Sequence, residues 1–388
     1  MNCLRCNGTR QKGRNPSGRP ATRPYVCCWR QRSKRRNTMS EGSLLAMDVG
    51  GGTQDLFLWE PGQAVENAVK MVLPAPTRVV ARRLGRLTAE GRPVFLTGRV
   101  MGGGPITTAV RRHLAQKLPV YASPQAVLTL HDNIDIIKQW GVICTDNPPP
   151  EAARLMLGDV DLDALKAVLA AYEVPFPTHF AVAVQDHGFA PHFSNREFRF
   201  QQWREVLARG GKLSDLAFTT PPRCFTRMRA VAETLPGVLL MDTCTAGVRG
   251  ALLDPEARKR REEGLTVVNL GNAHTFAVLI QGDRIFGIYE HHTGLLTPDK
   301  LARQLSGFQS GVLKHETVFD DGGHGCAIHP DYPREQPFSF MIITGPRRSL
   351  AKGLPGIFAA PLGDMMLTGC FGLADAWLEV EHKPWALE

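Results

Sequence analysis

Residues 44–60, LLAMDVGGGTQDLFLWE, constrain what this chain can fold into more than any other stretch. An apolar run ends in Asp48, three glycines and Thr53, and an alternating apolar run follows. Glycines carry no Cβ, so the Gly50–Thr53 backbone can close tightly around a phosphate with its N–H groups inward. Asp48, at the end of the first run, stands where a carboxylate would hold a magnesium ion through water. Leu56 and Leu58, with Phe57 and Trp59 between and after them, read as the return strand of a hairpin. A Walker loop would need GxxxxGK[ST], which the sequence lacks, and a dinucleotide fingerprint opens a helix rather than a strand. The competing reading is a glycine-rich hairpin turn of any β-protein.

A second copy narrows the choice. Residues 265–290, LTVVNLGNAHTFAVLIQGDRIFGIYE, repeat the plan: apolar strand, Gly-containing turn, Thr275, alternating strand, then a turn at Gln281-Gly282-Asp283 into a third strand. After the first loop the pattern predicts a strand near Ala68–Pro74, a helix at Arg78–Ala89, a strand Val94–Gly98, a helix Ile106–Lys117 and a strand Pro119–Ala122. After the second it predicts a strand Arg284–Glu290, a helix Pro298–Ser310, a strand Phe340–Gly345, a short helix Arg348–Lys352, a strand Gly356–Ala360 and a helix Leu362–Trp377. Both halves read β-β-β-α-β-α-β-α, with VFLTGRV answering MIITGPR and PVYASP answering GIFAAP. The period is too long for a solenoid, so one fold is used twice. The expected class is α/β with duplicated ribonuclease-H-like halves: residues 39–263 with an α/β insertion, and residues 264–388.

Two such halves with facing hairpins resemble the actin, sugar-kinase and heat-shock-chaperone ATPase superfamily. The segment Asp48–Asp55 is similar to its phosphate-1 motif, Asn269–Thr275 to phosphate-2, and Ile342–Pro346 to the adenosine motif. PLGDMMLTGCFGL at 361–373 resembles the small-residue helix that follows the adenosine site in sugar kinases. The resemblance implies ATP with Mg2+ near Asp48. The phosphates would lie on Gly50, Gly51, Gly52 and Thr53 and on Gly271, Asn272, His274 and Thr275, with adenosine against Thr344 and Gly345. There are departures: Asn269 stands where phosphate-2 usually has an aspartate, and Pro346 replaces a glycine. Closer still, VQDHG, EHHTG, GDMMLTG and MDTCTAGVRGAL resemble a family within this superfamily labelled "putative pyruvate formate-lyase activating enzyme". A radical-SAM activase needs three cysteines spaced CxxxCxxC, and the sequence has no such run; its one CxxC, Cys3 to Cys6, offers two ligands where a cluster or zinc needs about four.

The net charge of +9 misleads about the folded body. Residues 1–38 hold eleven Lys/Arg and no acid, leaving 35 basic against 37 acidic residues elsewhere. That stretch lacks periodicity and is expected to be disordered, either a basic arm or an upstream extension ahead of a start at Met39. The cysteines of the body are scattered and no apolar run approaches a membrane span of about 20 residues, so a cytoplasmic protein without membrane contact is expected.

The middle segment carries further candidates. HFAVAVQ at 179–185 is a buried-type strand ending in Asp186-His187-Gly188, and ligands bind past the carboxyl ends of strands in α/β sheets. Asp186 is the candidate base, with His187 beside it, facing the γ-phosphate as sugar kinases place a catalytic aspartate; alternatively the tripeptide is a turn that caps a loop. Asp242 reads as a helix cap, with a second metal carboxylate as the alternative. His274 lies inside the second loop, where an imidazole could contact the γ-phosphate. Asp320, Asp321, His324 and Cys326 are transition-metal donors at short spacing, or simply members of a flexible DDGGHG loop.

Three functions compete. The first is an ATP-dependent kinase or ATPase, with an unknown small-molecule acceptor near Asp186 and His187. The second is a nucleotide-gated switch acting on a partner protein with little turnover. A metal-dependent hydrolase would leave both hairpins unexplained. No nucleic-acid partner is expected, since the body is near neutral.

Overall fold

The computed structural model describes residues 42–383 and Trp385. The basic extension 1–38, its four cysteines and the expected start at Met39 lie outside the described residues.

Three antiparallel strands open the first sheet: β1 (Leu44–Val49), β2 (Thr53–Trp59) and β3 (Val69–Pro74). Helix α1 (Pro76–Ala89) follows, with Pro76 at its first position, where a missing N–H costs nothing. The chain then builds β4 (Val94–Gly98), α2 (Gly104–Ala115), β5 (Val120–Ala122), α3 (Ile134–Gln139), β6 (Val142–Cys144) and β7 (Ala153–Leu157). These four strands form a separate parallel sheet, ordered β6-β5-β4-β7. It has its own core around Leu84, Leu96, Ile106 and Val120.

The chain returns through α4 (Leu162–Ala171), capped by Asp161, to β8 (His179–Val184). Next come α5 (Asn195–Ala208), β9 (Ala217–Phe218), α6 (Thr226–Thr234), β10 (Leu239–Met241) and α7 (Thr243–Ala251). Strand β8 runs parallel to β1, and β10 parallel to β8, giving the order β3-β2-β1-β8-β10-β9. Central β1 and β8 are nearly continuous apolar runs because both of their faces are covered.

Helix α8 (Pro255–Arg260), capped by Asp254, leads to the second sheet. It comprises β11 (Leu265–Leu270), β12 (His274–Gln281), β13 (Arg284–His292), β14 (Gly325–Ile328), β15 (Met341–Thr344) and β16 (Ile357–Phe358), interrupted by α9 (Pro298–Gln309) and α10 (His315–Phe319). Its order, β14-β13-β12-β11-β15-β16, repeats five strands of the first sheet, with β14 added at one edge where the first sheet instead has β9 at the other, and α11 (Thr368–Val380) follows. The protein therefore has two ribonuclease-H-like halves, the architecture of the actin and sugar-kinase superfamily.

One sequence expectation needs correction here. VFLTGRV does not answer MIITGPR: β15 pairs with β11, but β4 pairs with β5 and β7. The true counterpart of β15 is β8, and that of β16 is β10, so the inserted sheet is Val94–Leu157 and its surroundings. A parallel strand buried on both faces reads alike in whichever sheet it lies, which is why local similarity misplaced it. The DDGGHG stretch is a turn over residues 320–324, the loop alternative read from the sequence, and its last glycine opens β14, whose Cys326 lies opposite Tyr289.

The halves exchange covering helices. Helix α11 lies on the first sheet, packing Phe371, Leu373 and Trp377 against Leu44, Ala46, Phe57 and Trp59. Rings of Phe57 and Phe371 meet edge to face at 5.1 Å. Burying each such side chain contributes about 1.5–3 kcal/mol. Helix α7 turns Val248 and Ala251 toward Leu265 and Val267 of the second sheet. Where α7 and α11 cross, Gly250 and Gly372 let the backbones touch: a Cβ on Gly250 would overlap the Thr368 carbonyl, and one on Gly372 the Ala246 carbonyl.

Candidate functional site

The two glycine turns are built alike. Gly50 N–H donates to Thr53 O at 2.9 Å, and Gly271 N–H donates to His274 O at 2.9 Å. The tips meet: a Cβ on Gly51 would touch that of Ala273 at 3.4 Å, and one on Gly52 would press on Asn272. Tip carbonyls turn into their own halves. Gly51 O accepts from Arg78 Nε at 3.2 Å, Gly52 O from Ala75 N–H at 3.2 Å, and Ala273 O from Thr293 N–H at 2.9 Å. Trans peptide planes then send the N–H groups of Gly52, Thr53 and His274 the opposite way.

Beside the tips lies a cleft of about 460 Å³, bounded by Gly50, Gly51, Gly271, Asn272, Asp186 and His187 and by the Gly102–Gly104 segment of the insertion. Asn269, Thr226, Arg227 and Thr243 also face it. A second cavity of about 240 Å³ shares Asp186 and His187 and is walled by Trp203, Leu216, Phe218 and Met228.

Asp48 and Asp55 face each other directly across β1 and β2. The Oδ1 atom of each is buried with no hydrogen-bond partner among the described residues. Burial, and then the Asp55 charge, push Asp48 well above the usual carboxylate range. Burial likewise pushes Asp55 up to about 7. Asp55 was not singled out from the sequence, although the hairpin symmetry that pairs Gly50 with Thr53 also pairs residue 48 with residue 55.

Asp186 is engaged on both oxygens. Its Oδ1 accepts from Gly188 N–H and its Oδ2 from the N–H groups of Arg227 and Met228, each at 2.9 Å. It thereby caps α6, whose own N-cap Phe225 provides no side-chain bond. Burial raises its pKa to about 6 despite these donors. Such geometry suits a residue that fixes the loop, and it is the turn-forming alternative read from the sequence. Asp242 caps α7 through Cys244 N–H at 3.0 Å and pairs with Arg199 at 2.9 and 3.1 Å. Arg199 also holds the fully buried Glu290 at 2.6 Å, which takes a further bond from Gln185 Nε2 at 2.6 Å. This bridge joins the first half to the second, and sequence reading missed it.

Arg227 forms a second buried fork, Nε to Asp159 Oδ2 at 2.7 Å and Nη2 to Asp159 Oδ1 at 2.9 Å, while Asp159 Oδ1 accepts from Gly102 N–H at 3.2 Å. Replacing Arg227 with Ala strands Asp159 in the interior, a loss of about 3–5 kcal/mol for a broken buried pair. Amide exchange in Gly102–Gly104 is expected to accelerate markedly in this variant, measured by hydrogen–deuterium exchange; unchanged protection there would count against the role assigned to the fork.

Not all predicted positions gather at the cleft. Thr275 is fully buried and bonds Thr293 Oγ1 at 3.0 Å, away from the opening. Thr344 is buried, and Gly345 sits at φ +95° directly under the Leu270 backbone, so both support the second hairpin from behind and neither lines the cleft. The expected grouping of Asp320, Asp321, His324 and Cys326 does not form. Asp321 pairs with His291 Nε2 at 3.1 Å and Lys300 Nζ at 2.9 Å, and burial pushes the Cys326 thiol far up. His324 instead joins His187 and His274, their nearest ring nitrogens all within 4.8 Å of one another. Burial, first of all, holds His274 down to about 4 and His324 to about 3, and His187 well below the usual imidazole value, so all three rings are neutral at pH 7.

Among the described residues, no helix is long and apolar enough to cross a membrane. No curated protein matches the sequence. Among solved structures, the chain resembles the inorganic polyphosphate/ATP-glucomannokinase of Arthrobacter sp. strain KM at 12% identity, covering 87% of this chain and 99% of that one with a TM-score of 0.34. It resembles the ROK family glucokinase of Streptomyces griseus at 12% identity, 86% and 98% coverage and a TM-score of 0.29. The Aquifex aeolicus PPX-GPPA enzyme overlaps at 11% identity, 88% and 93% coverage and a TM-score of 0.26. The family model described as "Putative pyruvate format-lyase activating enzyme (DUF1786)" matches residues 101–350, well over half of the sequence, and the chain belongs to that family.

Proposed function

We propose that the cleft binds a magnesium nucleoside triphosphate, ATP in the first instance, and that the protein is a Mg-dependent ATPase or small-molecule phosphotransferase. The observation that carries this reading is the pair of identically closed turns, one from each half, meeting tip to tip beside Asp48. Their inward N–H groups at Gly52, Thr53 and His274 are suited to phosphate oxygens. Asp48 and Asp55 fit magnesium: two opposed carboxylates, each with an orphaned buried oxygen, are stable as anions only with a cation between or beside them. Bound magnesium would neutralise charge on the phosphates and help to orient them. Arg78 lies beside the first turn and adds positive charge at the opening. An acceptor would occupy the mostly apolar cavity next to Asp186 and His187, with Asp186 holding the loop in place.

A second reading, a nucleotide-gated switch on a partner protein with little turnover, is favoured by Asn269. It faces the cleft from the second half with an amide, so the described acids that line the cleft, Asp132 and Asp186, come from the first half. Pyruvate formate-lyase activation by radical chemistry finds no support, because the five described cysteines are scattered and Cys244, Cys326 and Cys370 are buried.

Calorimetric titration with ATP in the presence and absence of Mg2+ tests the proposal. Wild-type protein is expected to bind only with magnesium, and Asp48→Ala to bind at least about tenfold more weakly, a difference of about 1.4 kcal/mol. Equal, magnesium-independent affinity in both proteins would overturn it. Phosphate release that depends on an added small molecule selects the phosphotransferase; slow release whatever is added selects the switch.

A further inference from the structure

We propose that His187, His274 and His324 form a binding site for a zinc-class divalent transition metal on the inner wall of the cleft, separate from the carboxylate pair at Asp48 and Asp55. The three ligands come from the loop just past β8, the start of β12 and the residue before β14, so the metal would tie the two halves together.

Geometry is the first support. Because their candidate donor atoms lie within 4.8 Å of one another, an ion at their centre sits within about 2.8 Å of each, close to the ~2.0–2.1 Å of a zinc–imidazole bond. Small ring rotations close the difference. His292 stands against the same group, its centroid 4.9 Å from that of His274 and 4.7 Å from that of His324.

Unmet hydrogen bonding is the second. His324 is 1% exposed, yet among the described residues neither of its ring nitrogens has a hydrogen-bond partner, and His274 Nε2 is likewise buried and unpaired. Orphaned buried polar atoms are rare in native proteins and point to a missing ligand. Glu290 Oε1 lies 3.7 Å from His324 Nδ1, beyond hydrogen-bond distance, so a small ring rotation is needed before it orients that ring and leaves Nε2 for the ion, as carboxylates do behind zinc-bound histidines.

Charge is the third. One guanidinium, Arg199, lies between two buried carboxylates, Asp242 and Glu290, leaving one unit of negative charge beside neutral imidazoles. Three imidazoles without thiolates suit zinc, cobalt or iron rather than magnesium.

The proposal does not rest on the nucleotide reading. Full-length protein is purified without added metal, assayed by elemental analysis, stripped with a chelator, and titrated with Co2+. One equivalent of retained or rebound metal is expected, with visible d–d absorption that Zn2+ abolishes. His324→Gln should reduce the stoichiometry at least fivefold while Asp321→Asn leaves it at one; circular dichroism melts confirm that both variants are folded. Zinc-edge X-ray absorption on the wild-type protein needs no variant and should show a nitrogen and oxygen shell with imidazole scattering. Failure to retain or rebind any metal, an unaltered stoichiometry in folded His324→Gln, or a sulfur shell that would move the ion to Cys326, would each overturn the proposal.

Discussion

Gly250→Ala is expected to abolish the native assembly. The added methyl group would stand far inside 3.0 Å of the Thr368 carbonyl and at 3.0 Å from the Gly372 amide nitrogen, both backbone atoms of the facing helix α11. Neither can swing aside as a side-chain end does, so α7 and α11 must separate. Overpacking ordinarily costs about 1–3 kcal/mol, and a backbone clash at the meeting of two cores lies at or beyond the upper limit. Separation would also disturb Asp48, because Gly369 of α11 allows its carboxylate to lie against the helix. Soluble yield, thermal melting and ATP titration of Gly250→Ala beside Gly85→Ala make the comparison. Gly85 has open space where its Cβ would go, so that variant should melt like the wild type. A Gly250→Ala protein that melts within a degree or two of wild type would refute the packing argument.

Arg199→Met comes second in size. Arg199 is 3% exposed and its partners Asp242 and Glu290 are 8% and 0% exposed, so the variant leaves two carboxylates buried without a counter-ion. Breaking such a group costs about 3–5 kcal/mol, measured as a lower urea midpoint. Arg199→Lys is expected to recover little of it, since one ammonium cannot serve the fork to Asp242 and the Nε contact to Glu290 together. The Arg199→Met/Glu290→Gln double variant should be less damaged than the sum of its singles, because the second change removes a stranded charge. Strict additivity would show that the three groups do not act as one network.

Much of this was readable in the sequence and the rest was hidden for identifiable reasons. The hairpins were legible because a run of glycines between an acid and a threonine has few uses, and because it recurs. The identity of the fourth and fifth strands of the first half was not. Val94–Gly98 and His179–Val184 are both short apolar strands, and which one docks beside β1 is decided by tertiary pairing rather than by local composition. His187, His274 and His324 lie far apart in the chain; each was picked out for a different reason, and nothing in the sequence said that the three meet. Arg199 did leave a sign: it shares the helical face of Trp203 and Leu207 at spacings of four, where a charge is out of place unless it is paired. Glu290 similarly interrupts a buried strand, RIFGIYEHH.

The exchange of covering helices has a consequence for how the protein is made. Strands β1 and β2 leave the ribosome well before the side chains that shield one of their faces, Phe371, Leu373 and Trp377, have been translated. Until then that face of the nascent first half stays greasy and open, as incompletely packed intermediates of large chains generally are. Vectorial folding, first half and then second, is therefore closed to this molecule. Its cores must consolidate together after synthesis of residues 368–380, and in the interval the nascent chain presents a surface of the kind that chaperones hold.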